Sequence, residues 1–354
     1  FKHDVPAGFL ALCSKNLEDC AVTPSEEFNV KIYTQTGSTN DGDDVVVATK
    51  ACDLIWIYDR TSASYNPVIS NRIRGGDKYD TSVAAEAEGT MAGGTSAGIT
   101  YGTDTFTIGN DANAKGINAR AGGTYVAWSW RADGTTGSAD EEGTINTTAT
   151  SANVAGGFSM SLFTGTDSNA TVGHGLSVAP ELVIFKNLDE GAKSWVVGSE
   201  QSIASLDFTD HMYLNTQIAL TDYANYFQDT APSATVVTIG DADYVNNAGA
   251  MMMYCWHSVE GYSKVGSYVG NGNVDGAFVY TGFNPAFVMI KRIDASGKNW
   301  LLYDKARDPE NDGSFRRLNA NSAAAEDGGP EMDWTSNGFK TRTTNSHMNY
   351  SGGY

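Results

Sequence analysis

The sequence predicts an all-β protein made of tandem antiparallel β-sandwich domains of the jelly-roll or concanavalin-like type. Short runs rich in Val, Ile, Phe, Tyr and Trp alternate with segments rich in Gly, Ser, Thr, Asn and Asp, as strands alternate with turns. Long patterns at the 3.6-residue spacing of helices are nearly absent. The third observation is an internal repeat, because the same series of strand-like cues occurs three times in 354 residues.

Each repeat opens with two strand-like cues. The aromatic cue that comes first lies at residues 28–34, 158–164 and 262–269. The apolar cue that follows lies at residues 52–57, 180–185 and 285–290. The spacing supports this alignment, because 15 residues separate Pro180 from Trp195 and also Pro285 from Trp300. These cues predict two neighbouring strands at the start of every repeat.

The later part of each repeat carries a third cue and a closing cue. The third cue lies at residues 106–109, 237–240 and 339–341. A closing strand is predicted at residues 123–130 and 249–256, where alternation between two faces indicates one buried face. The third repeat offers only residues 352–354 at this place, so we expect it to lack most of its closing strand and the polypeptide to continue beyond Tyr354.

Units of about 100 residues can each form a hydrophobic core of their own, so we expect independent domains joined in series rather than a solenoid. The long polar segment between repeats one and two predicts freedom there, and the short connection after Trp256 predicts that repeats two and three are rigidly coupled. Residues 77–105 are expected to form an elaborated loop outside the core. The predicted division is 1–24, the tail of a preceding domain; 25–133, repeat one; 134–155, a linker or an extra strand; 156–258, repeat two; and 259–354, repeat three, incomplete at its C-terminus.

Charge excludes several classes of partner. The net charge is −19, with 23 Lys and Arg against 42 Asp and Glu, and the basic residues form no cluster. Nucleic-acid binding depends on basic residues that neutralise phosphates, so no nucleic-acid partner is predicted, and an anionic membrane surface is disfavoured for the same reason. The sequence holds no stretch of about 18 apolar residues, so we predict no membrane insertion.

The four cysteines do not have the spacing of a metal site. Cys52 and Cys255 lie in apolar runs and are predicted to be small buried hydrophobic residues. Cys13 and Cys20 are seven residues apart, and we favour free thiols, with a disulfide between them as the alternative left open.

A search for catalytic chemistry gives weak candidates. Glu331 and Asp333 begin the acidic pattern of a glycosidase but lack its second glutamate, so we expect a solvated turn. His174 is expected to be a hydrogen-bonding loop residue. The acidic loops 41–44 and 308–312 are expected to be exposed turns, with calcium as the alternative left open. We therefore predict no catalytic, cofactor-binding or metal-binding residue and no cofactor.

Recurrent large side chains are assigned to structure. Arg74 and Arg307 occupy one position of the repeat and predict an internal ion pair with a carboxylate such as Asp304. The tryptophans in strand-like runs could stack on sugars, but their equivalent places favour the core. These tryptophans are Trp56, Trp128, Trp130, Trp195, Trp256 and Trp300.

A set of short strings resembles a family of tandem-repeat β-sandwich virion structural proteins of marine bacteriophages. The strings lie at residues 157–159, 173–176, 180–184, 261–264, 270–272, 280–287 and 336–340. Residues 5–17 resemble the tail of the SPRY-like or concanavalin-like domain that often precedes such repeats. The resemblance covers almost the whole chain, and repeat one departs from it because Cys52 replaces the proline of Pro180 and Pro285.

The resemblance implies a non-enzymatic structural protein of a virion exterior, in an appendage or decoration such as a tail fibre or capsid fibre. It implies other virion proteins as partners, a homo-oligomer, and adhesion to a host-surface glycan. The alternative is a secreted or surface adhesin of a bacterium built from the same modules. A polysaccharide-degrading enzyme is the third class.

Overall fold

The computed structural model describes residues 20–35, 45–91, 98–109, 117, 122–201, 206–309, 311, 316–329 and 331–354. Within these ranges the chain is nearly all β, in several antiparallel sheets of the sandwich type, as the sequence predicts. The described helices are single turns: α1 (Pro24–Glu27), α2 (Ala224–Phe227) and α3 (Asp243–Asn246).

Unit one, residues 25–133, packs two sheets around its own core. Its strands are β1 (Phe28–Thr34), β2 (Val45–Ala48), β3 (Leu54–Asp59), β4 (Val68–Asn71), β5 (Lys78–Thr81), β6 (Gly89–Thr90), β7 (Ile99–Tyr101), β8 (Thr105–Ile108) and β9 (Thr124–Trp130). One sheet has the order β1-β9-β3-β4-β5-β6, and the other has the order β2-β8-β7. Alternate residues such as Ile55, Ile57 and Phe106 fill the space between the sheets.

Unit two, residues 156–258, repeats this plan. The strands of unit two and of the segment before it are β10 (Ala149–Asn153), β11 (Phe158–Thr164), β12 (Ala170–Gly173), β13 (Leu182–Asn187), β14 (Val196–Gln201), β15 (Leu206–Asp207), β16 (Asp210–Tyr213), β17 (Thr221–Asp222), β18 (Val236–Ile239) and β19 (Ala250–Trp256). The large sheet has the order β10-β11-β19-β13-β14-β16-β17, with β15 beside β14, and β12 pairs with β18. Val183, Phe185 and Val237 lie in the core between the sheets.

Unit three, residues 259–354, has the central strands of the same two-sheet arrangement. Its strands are β20 (Phe278–Tyr280), β21 (Phe287–Lys291), β22 (Trp300–Asp304), β23 (Arg316–Asn319), β24 (Asp327–Gly328), β25 (Met332–Thr335) and β26 (Gly338–Thr341). The sheets have the orders β21-β22-β23-β24 and β20-β26-β25. Val288, Ile290 and Phe339 lie in the core between them.

Two segments between the repeat cues are structured. Residues 77–105 were expected to lie outside the core, but β5 belongs to the large sheet, and Tyr79, Met91 and Ile99 are core residues. The prediction is wrong because strands of two to four residues are too short to show alternation. Segment 134–155 was predicted to be a linker or an extra strand, and the structure has the extra strand: β10 pairs with β11, and Ile145 belongs to the core of unit two.

Residues 262–269 were predicted to form a strand, and this prediction is wrong. The chain there is irregular apart from a turn and an isolated bridge. The equivalent strands β1 and β11 each pair with the closing strand of their own unit, β9 and β19 respectively. The structure places no such strand beside residues 262–269 in the part of the chain that it describes, so the aromatic pattern alone does not give a strand.

A fourth core cluster joins all three units. It contains Trp56 and Trp128 from unit one, Tyr254 from unit two, and Trp300 and Leu302 from unit three. The prediction of independent domains, with a first unit that is only loosely connected to the others, is therefore wrong. The large sheet of every unit has one face on its own core and the other face on the shared cluster.

Backbone hydrogen bonds connect the units in a closed cycle. At each junction the residue just before the last strand of one large sheet donates its N–H to the carbonyl of the next unit. These pairs are Glu88 to Leu188 at 2.7 Å, Leu220 to Ile293 at 2.8 Å, and Glu326 to Arg60 at 2.8 Å. The third pair connects unit three to unit one, so the units form a ring with pseudo-threefold symmetry.

Side chains form a second cycle in the opposite direction. An aromatic donor of each unit bonds a carbonyl on the next-to-last strand of the large sheet of the unit before it. These pairs are Trp195 to Thr81 at 3.0 Å, Trp300 to Tyr213 at 2.9 Å, and Tyr58 to Asn319 at 2.9 Å. Unit one has Pro67 just before β4, where the other units have tryptophan, and Tyr58 on β3 supplies the donor instead. All three junctions are thereby equivalent.

Candidate functional site

A groove of about 960 Å³ lies beside β21, next to the pseudo-threefold axis. Residues of all three units line it, among them Phe28 and Trp130 of unit one, Trp256 of unit two, and Phe287 and Met289 of unit three. Its lining is mostly apolar and aromatic, as is typical of ligand-binding sites.

The groove follows an edge of β21 that is covered in the other units. β3 lies between β4 and β9, and β13 lies between β14 and β19. Among the described strands, β21 pairs only with β22. Burial reflects this difference, because Phe287, Met289 and Lys291 are only partly buried whereas every residue of β3 is buried.

The backbone N–H and C=O groups that face the groove belong to alternate residues of β21. Ile293, just after β21, donates its N–H to Tyr354 O at 2.8 Å on the groove side. Successive residues of an antiparallel strand alternate the edge to which their backbone groups point. The N–H and C=O groups of Phe287, Met289 and Lys291 therefore face the groove.

At one end of the groove, the backbone makes the same hydrogen bonds as it does at the start of the closing strand in the other units. Gly270 donates to Gly353 O at 2.9 Å, as Gly165 donates to Gly249 O at 3.0 Å and Gln35 to Gly123 O at 3.0 Å. The N–H groups of Ile293, Leu188 and Arg60 likewise donate to carbonyls at equivalent positions of units three, two and one. Gly353 and Tyr354 thus occupy the positions that lead into β9 and β19.

Aromatic rings form the wall of the groove near the axis. The rings of Trp130 and Trp256 lie 6.4 Å apart, and Phe287 lies 5.9 Å from Trp130 and 5.6 Å from Phe28. Such edge and tilted contacts are the favourable geometries for aromatic pairs. The wall is therefore preformed and apolar.

Lys291 and Arg292 at the groove have partners of their own. The Lys291 ammonium group donates to Lys298 O at 2.6 Å, and burial lowers its pKa to about 8. Arg292 pairs with Asp294 at 2.6 Å and lies 4.1 Å from the ring centre of Tyr350. These two cations are thus already paired, and much of the remaining lining is apolar.

Unit three has several exposed aromatic residues, and Tyr280 and Tyr350 among them line the groove. Phe278 and Tyr280 point outward from β20 and are 49% and 66% exposed, and Tyr350 is 50% exposed. Exposed apolar groups that are close together mark interaction sites on proteins. Of the ten large apolar residues exposed in the described part of the chain, six belong to unit three: Val269, Val274, Phe278, Tyr280, Tyr350 and Tyr354.

The acidic pair of the sequence does not form a solvated turn. Glu331 is buried, and Asp333 lies within β25. The carboxylate of Glu331 accepts hydrogen bonds from Tyr303, from Arg317 at 2.8 Å and from Asn345 at 2.6 Å. The prediction failed because partners distant in sequence compensate the burial of this charge, and Glu331 has a structural role.

His174 is the hydrogen-bonding loop residue that the sequence predicts. Its Nδ1 accepts from the Leu176 N–H at 3.1 Å, so the proton lies on Nε2, which donates to Ser233 O at 3.2 Å. Burial lowers the pKa of the imidazole. Both ring nitrogens therefore hold the loop.

The acidic loops give no cation site in the described residues. Residues 41–44 lie outside them, and Asp308 is buried rather than in an exposed turn. Asp308 accepts from the Arg316 N–H at 2.6 Å. Across the described ranges, no group of three or more His, Cys, Asp or Glu side chains is placed to bind a metal ion, and no helix is long and apolar enough to cross a membrane.

The structural roles predicted for the recurrent residues are confirmed. Arg307 pairs with Asp304 at 2.6 Å, with both side chains fully buried, and Arg74 pairs with Asp80 at 2.6 Å. Four of the six tryptophans are buried, and Trp130 and Trp256 pack against the shared cluster. The indole N–H of Trp128 of unit one also donates to Asp304 Oδ2 at 3.0 Å, which adds a link between units.

The cysteine predictions are confirmed where the structure describes them. Cys52 and Cys255 are buried, and burial raises the pKa of both thiols. Cys20 is a free, exposed thiol, and Cys13 lies outside the described residues.

Comparison with known protein families gives one match. Residues 23–354 match the family model described as Domain of unknown function (DUF7483). The chain belongs to the DUF7483 family. No curated protein and no solved structure matches the chain. Because the DUF7483 match spans all three units, the family corresponds to the whole ring and not to one repeat.

Sequence reasoning missed the residues that line the groove. Phe287 and Met289 lie in a cue that was found at 285–290 but was assigned only to a buried strand. The cue itself carries no signal that distinguishes them, because the same cue forms a strand paired on both edges in the other two repeats.

Proposed function

We propose that this protein is a non-enzymatic structural protein on the exterior of a bacteriophage virion, in an appendage or decoration such as a tail fibre or capsid fibre. The observation that carries the proposal is the closed ring of units. Equivalent backbone hydrogen bonds connect each unit to the next, and Trp195, Trp300 and Tyr58 supply one side-chain bond at each junction. Recurrent residues thus build a rigid body, which suits a spacer or decoration outside a particle.

The proposal includes adhesion to a host-surface glycan through unit three. Phe278, Tyr280 and Tyr350 present aromatic surface on a rigid support, and such surface can stack on sugar rings. Several copies on one particle would raise the effective affinity of a weak contact. A net charge of −19 keeps such an exposed protein soluble.

Location on the particle is the first test. Antibodies raised against the recombinant chain are applied to purified particles of the virus that encodes it, and gold labelling is read by electron microscopy. We expect label at a regular place on the exterior of intact particles. Label on the envelope of uninfected bacteria would replace the virion role with that of a bacterial adhesin, and chains absent from purified particles would refute it.

Glycan binding is tested separately on a glycan array with the protein coupled to beads. We expect binding that the double variant Phe278→Ser with Tyr280→Ser abolishes. Val46→Ser is the matched control, because Val46 is 59% exposed on unit one. An array without signal would leave only the scaffold role, and release of reducing sugar from a polysaccharide would contradict the non-enzymatic assignment.

A further inference from the structure

We propose that two copies of this chain pair edge to edge through β20, so that the small sheets of their third units form one continuous sheet. The pairing brings Phe278 and Tyr280 of both copies together on one surface. The pairing itself does not depend on the function proposed above, whereas the use of the joined aromatic surface for glycan binding rests on that function.

The first argument is that β20 has an unpaired edge. Among the described strands, β20 pairs only with β26. Thr281, just after β20, donates its N–H to Asn337 O at 3.0 Å on the side of β26. Since backbone groups of alternate residues point to opposite edges, the N–H and C=O groups of Phe278 and Tyr280 point away from β26. An edge of this kind is a template for pairing with another chain.

The second argument comes from unit two, where the equivalent edge is covered. Val172 of β12 and Val279 of β20 occupy the same register position, opposite the strand of the third cue. Along the outer edge of β12, Ile145 donates its N–H to Thr171 O at 3.0 Å. This covering segment precedes β11, whereas only the short connection 257–261 precedes the equivalent part of unit three. Within the described residues, β20 therefore lacks the cover that its counterpart has.

The third argument is that the edge is self-complementary. Antiparallel pairing about a twofold axis at Val279 places Phe278 of one copy opposite Tyr280 of the second copy. Both residues point their backbone groups outward, so each such pair exchanges its N–H and C=O hydrogen bonds, and the two aromatic side chains lie side by side on one face. This register satisfies the free backbone groups of both copies.

The fourth argument is the distribution of charge. Residues 259–354 hold 10 Lys and Arg against 11 Asp and Glu, whereas residues 25–133 hold 9 against 14 and residues 156–258 hold 2 against 11. Because net charge of one sign keeps copies of a protein apart, two copies of this acidic chain meet with the least repulsion through unit three.

The joined surface has the composition of a sugar-binding platform. Phe278 and Tyr280 are exposed, and Gly338, opposite Tyr280 on β26, has no side chain that could cover the ring. Lys340 lies opposite Phe278 and pairs with Asp275 at 2.5 Å, so charged groups flank the aromatic surface. Pairing extends this surface into one row of rings across two copies, along which an extended glycan can stack.

The test is sedimentation velocity of the full chain over a series of concentrations, without glycan, and with hydrogen exchange as the second readout. The paired strands are short, so the contact is smaller than a standard interface of about 1,600 Å². We expect a reversible dimer with a dissociation constant on the order of micromolar. Exchange of the Phe278 and Tyr280 amides should slow as the dimer forms.

Substitutions at one position separate the backbone from the side chain. Phe278→Pro removes an N–H that faces the second copy and no hydrogen bond to β26, so it should weaken the dimer at least about tenfold. Phe278→Ser keeps this N–H and should weaken the dimer less. Val46→Pro is the matched control, because Val46 has the same register position in β2 of unit one, and it should leave the dimer unchanged.

The edge pairing is overturned if the chain stays monomeric, if the dimer forms without slower exchange of the two amides, or if the serine and proline variants weaken it equally. Exchange in the unmodified chain keeps the test decisive if Phe278→Pro does not fold. A dimer with a silent glycan array supports the pairing and overturns the shared platform. A monomer that binds glycan overturns the pairing and leaves the proposed function standing.

Discussion

Replacement of Glu326 by Gln tests whether the junction between units three and one stabilises the whole molecule. The Glu326 carboxylate accepts two hydrogen bonds from Arg60 of unit one, at 2.7 and 3.0 Å. Each of these side chains is only 11% exposed, and Arg307 approaches the same carboxylate at 3.4 Å. Gln keeps the shape of Glu and removes its charge, so Arg60 would lose its anion in a poorly solvated place.

The size of the effect follows from this geometry. Loss of one partner of a buried ion pair costs about 3–5 kcal/mol. The amide of E326Q still accepts one hydrogen bond, and Arg307 keeps Asp304, so we expect the free energy of unfolding to fall by about 2–3 kcal/mol.

The pH dependence of this difference has a definite sign. Burial raises the pKa of Glu326, but the hydrogen bond from Arg60 and the charges of Arg307 and Arg60 outweigh it and hold the pKa below its usual value. A carboxylate of this kind contributes stability above its unfolded-state pKa and loses it as the pH falls through the folded-state pKa. The difference between wild type and E326Q should be full at pH 7 and should shrink below about pH 4.

The assay is urea unfolding at a series of pH values, followed by tryptophan fluorescence. Glu142→Gln is the control, because Glu142 is exposed and should change stability by less than about 0.5 kcal/mol. The reasoning is refuted if E326Q costs no more than this control at pH 7, or if its full effect persists well below the folded-state pKa.

Three further predictions concern buried groups. Tyr58→Phe and Trp195→Phe each remove a hydrogen-bond donor between units. Each should lower the free energy of unfolding by about 1–2 kcal/mol in denaturant titrations, and unfolding should remain a single transition. Separate transitions for the units would contradict the ring. Burial lowers the pKa of His211 to about 4, so the folded state loses stability as the pH falls from about 6.5 to 4. The substitution His211→Phe should remove about 3 kcal/mol of that loss. An NMR titration that shows protonation near pH 6.5 would contradict this prediction. The Cys255 thiol is buried with a raised pKa, so a thiol reagent should label it only after unfolding, as mass spectrometry of the native protein can check.

Much of the fold could be predicted from the sequence, because strands such as β3, β13 and β21 carry continuous apolar runs. The junctions between units could not be. Trp195 and Trp300 were recognised as equivalent, but their N–H partners lie on other units. In unit one the donor is Tyr58 on a different strand, so alignment of the repeats does not reveal the third contact.

The candidate site escaped prediction for a related reason. Residues 262–269 carry the aromatic pattern of a strand, but a strand also needs a partner for its backbone. Glu331 likewise resembles a surface acid until Arg317 and Tyr303 are brought to it by other strands. Local pattern gives the propensity of a segment, and long-range pairing decides its state.

The cyclic arrangement within one polypeptide has an evolutionary consequence. In a trimer of identical subunits, each substitution appears three times, and every exposed surface is copied around the axis. Here the three junctions stay equivalent while the outer surfaces are encoded separately, and exposed aromatic residues such as Phe278 and Tyr280 are concentrated in unit three. One third of the molecule can therefore diversify towards a new target while the other two keep the scaffold intact.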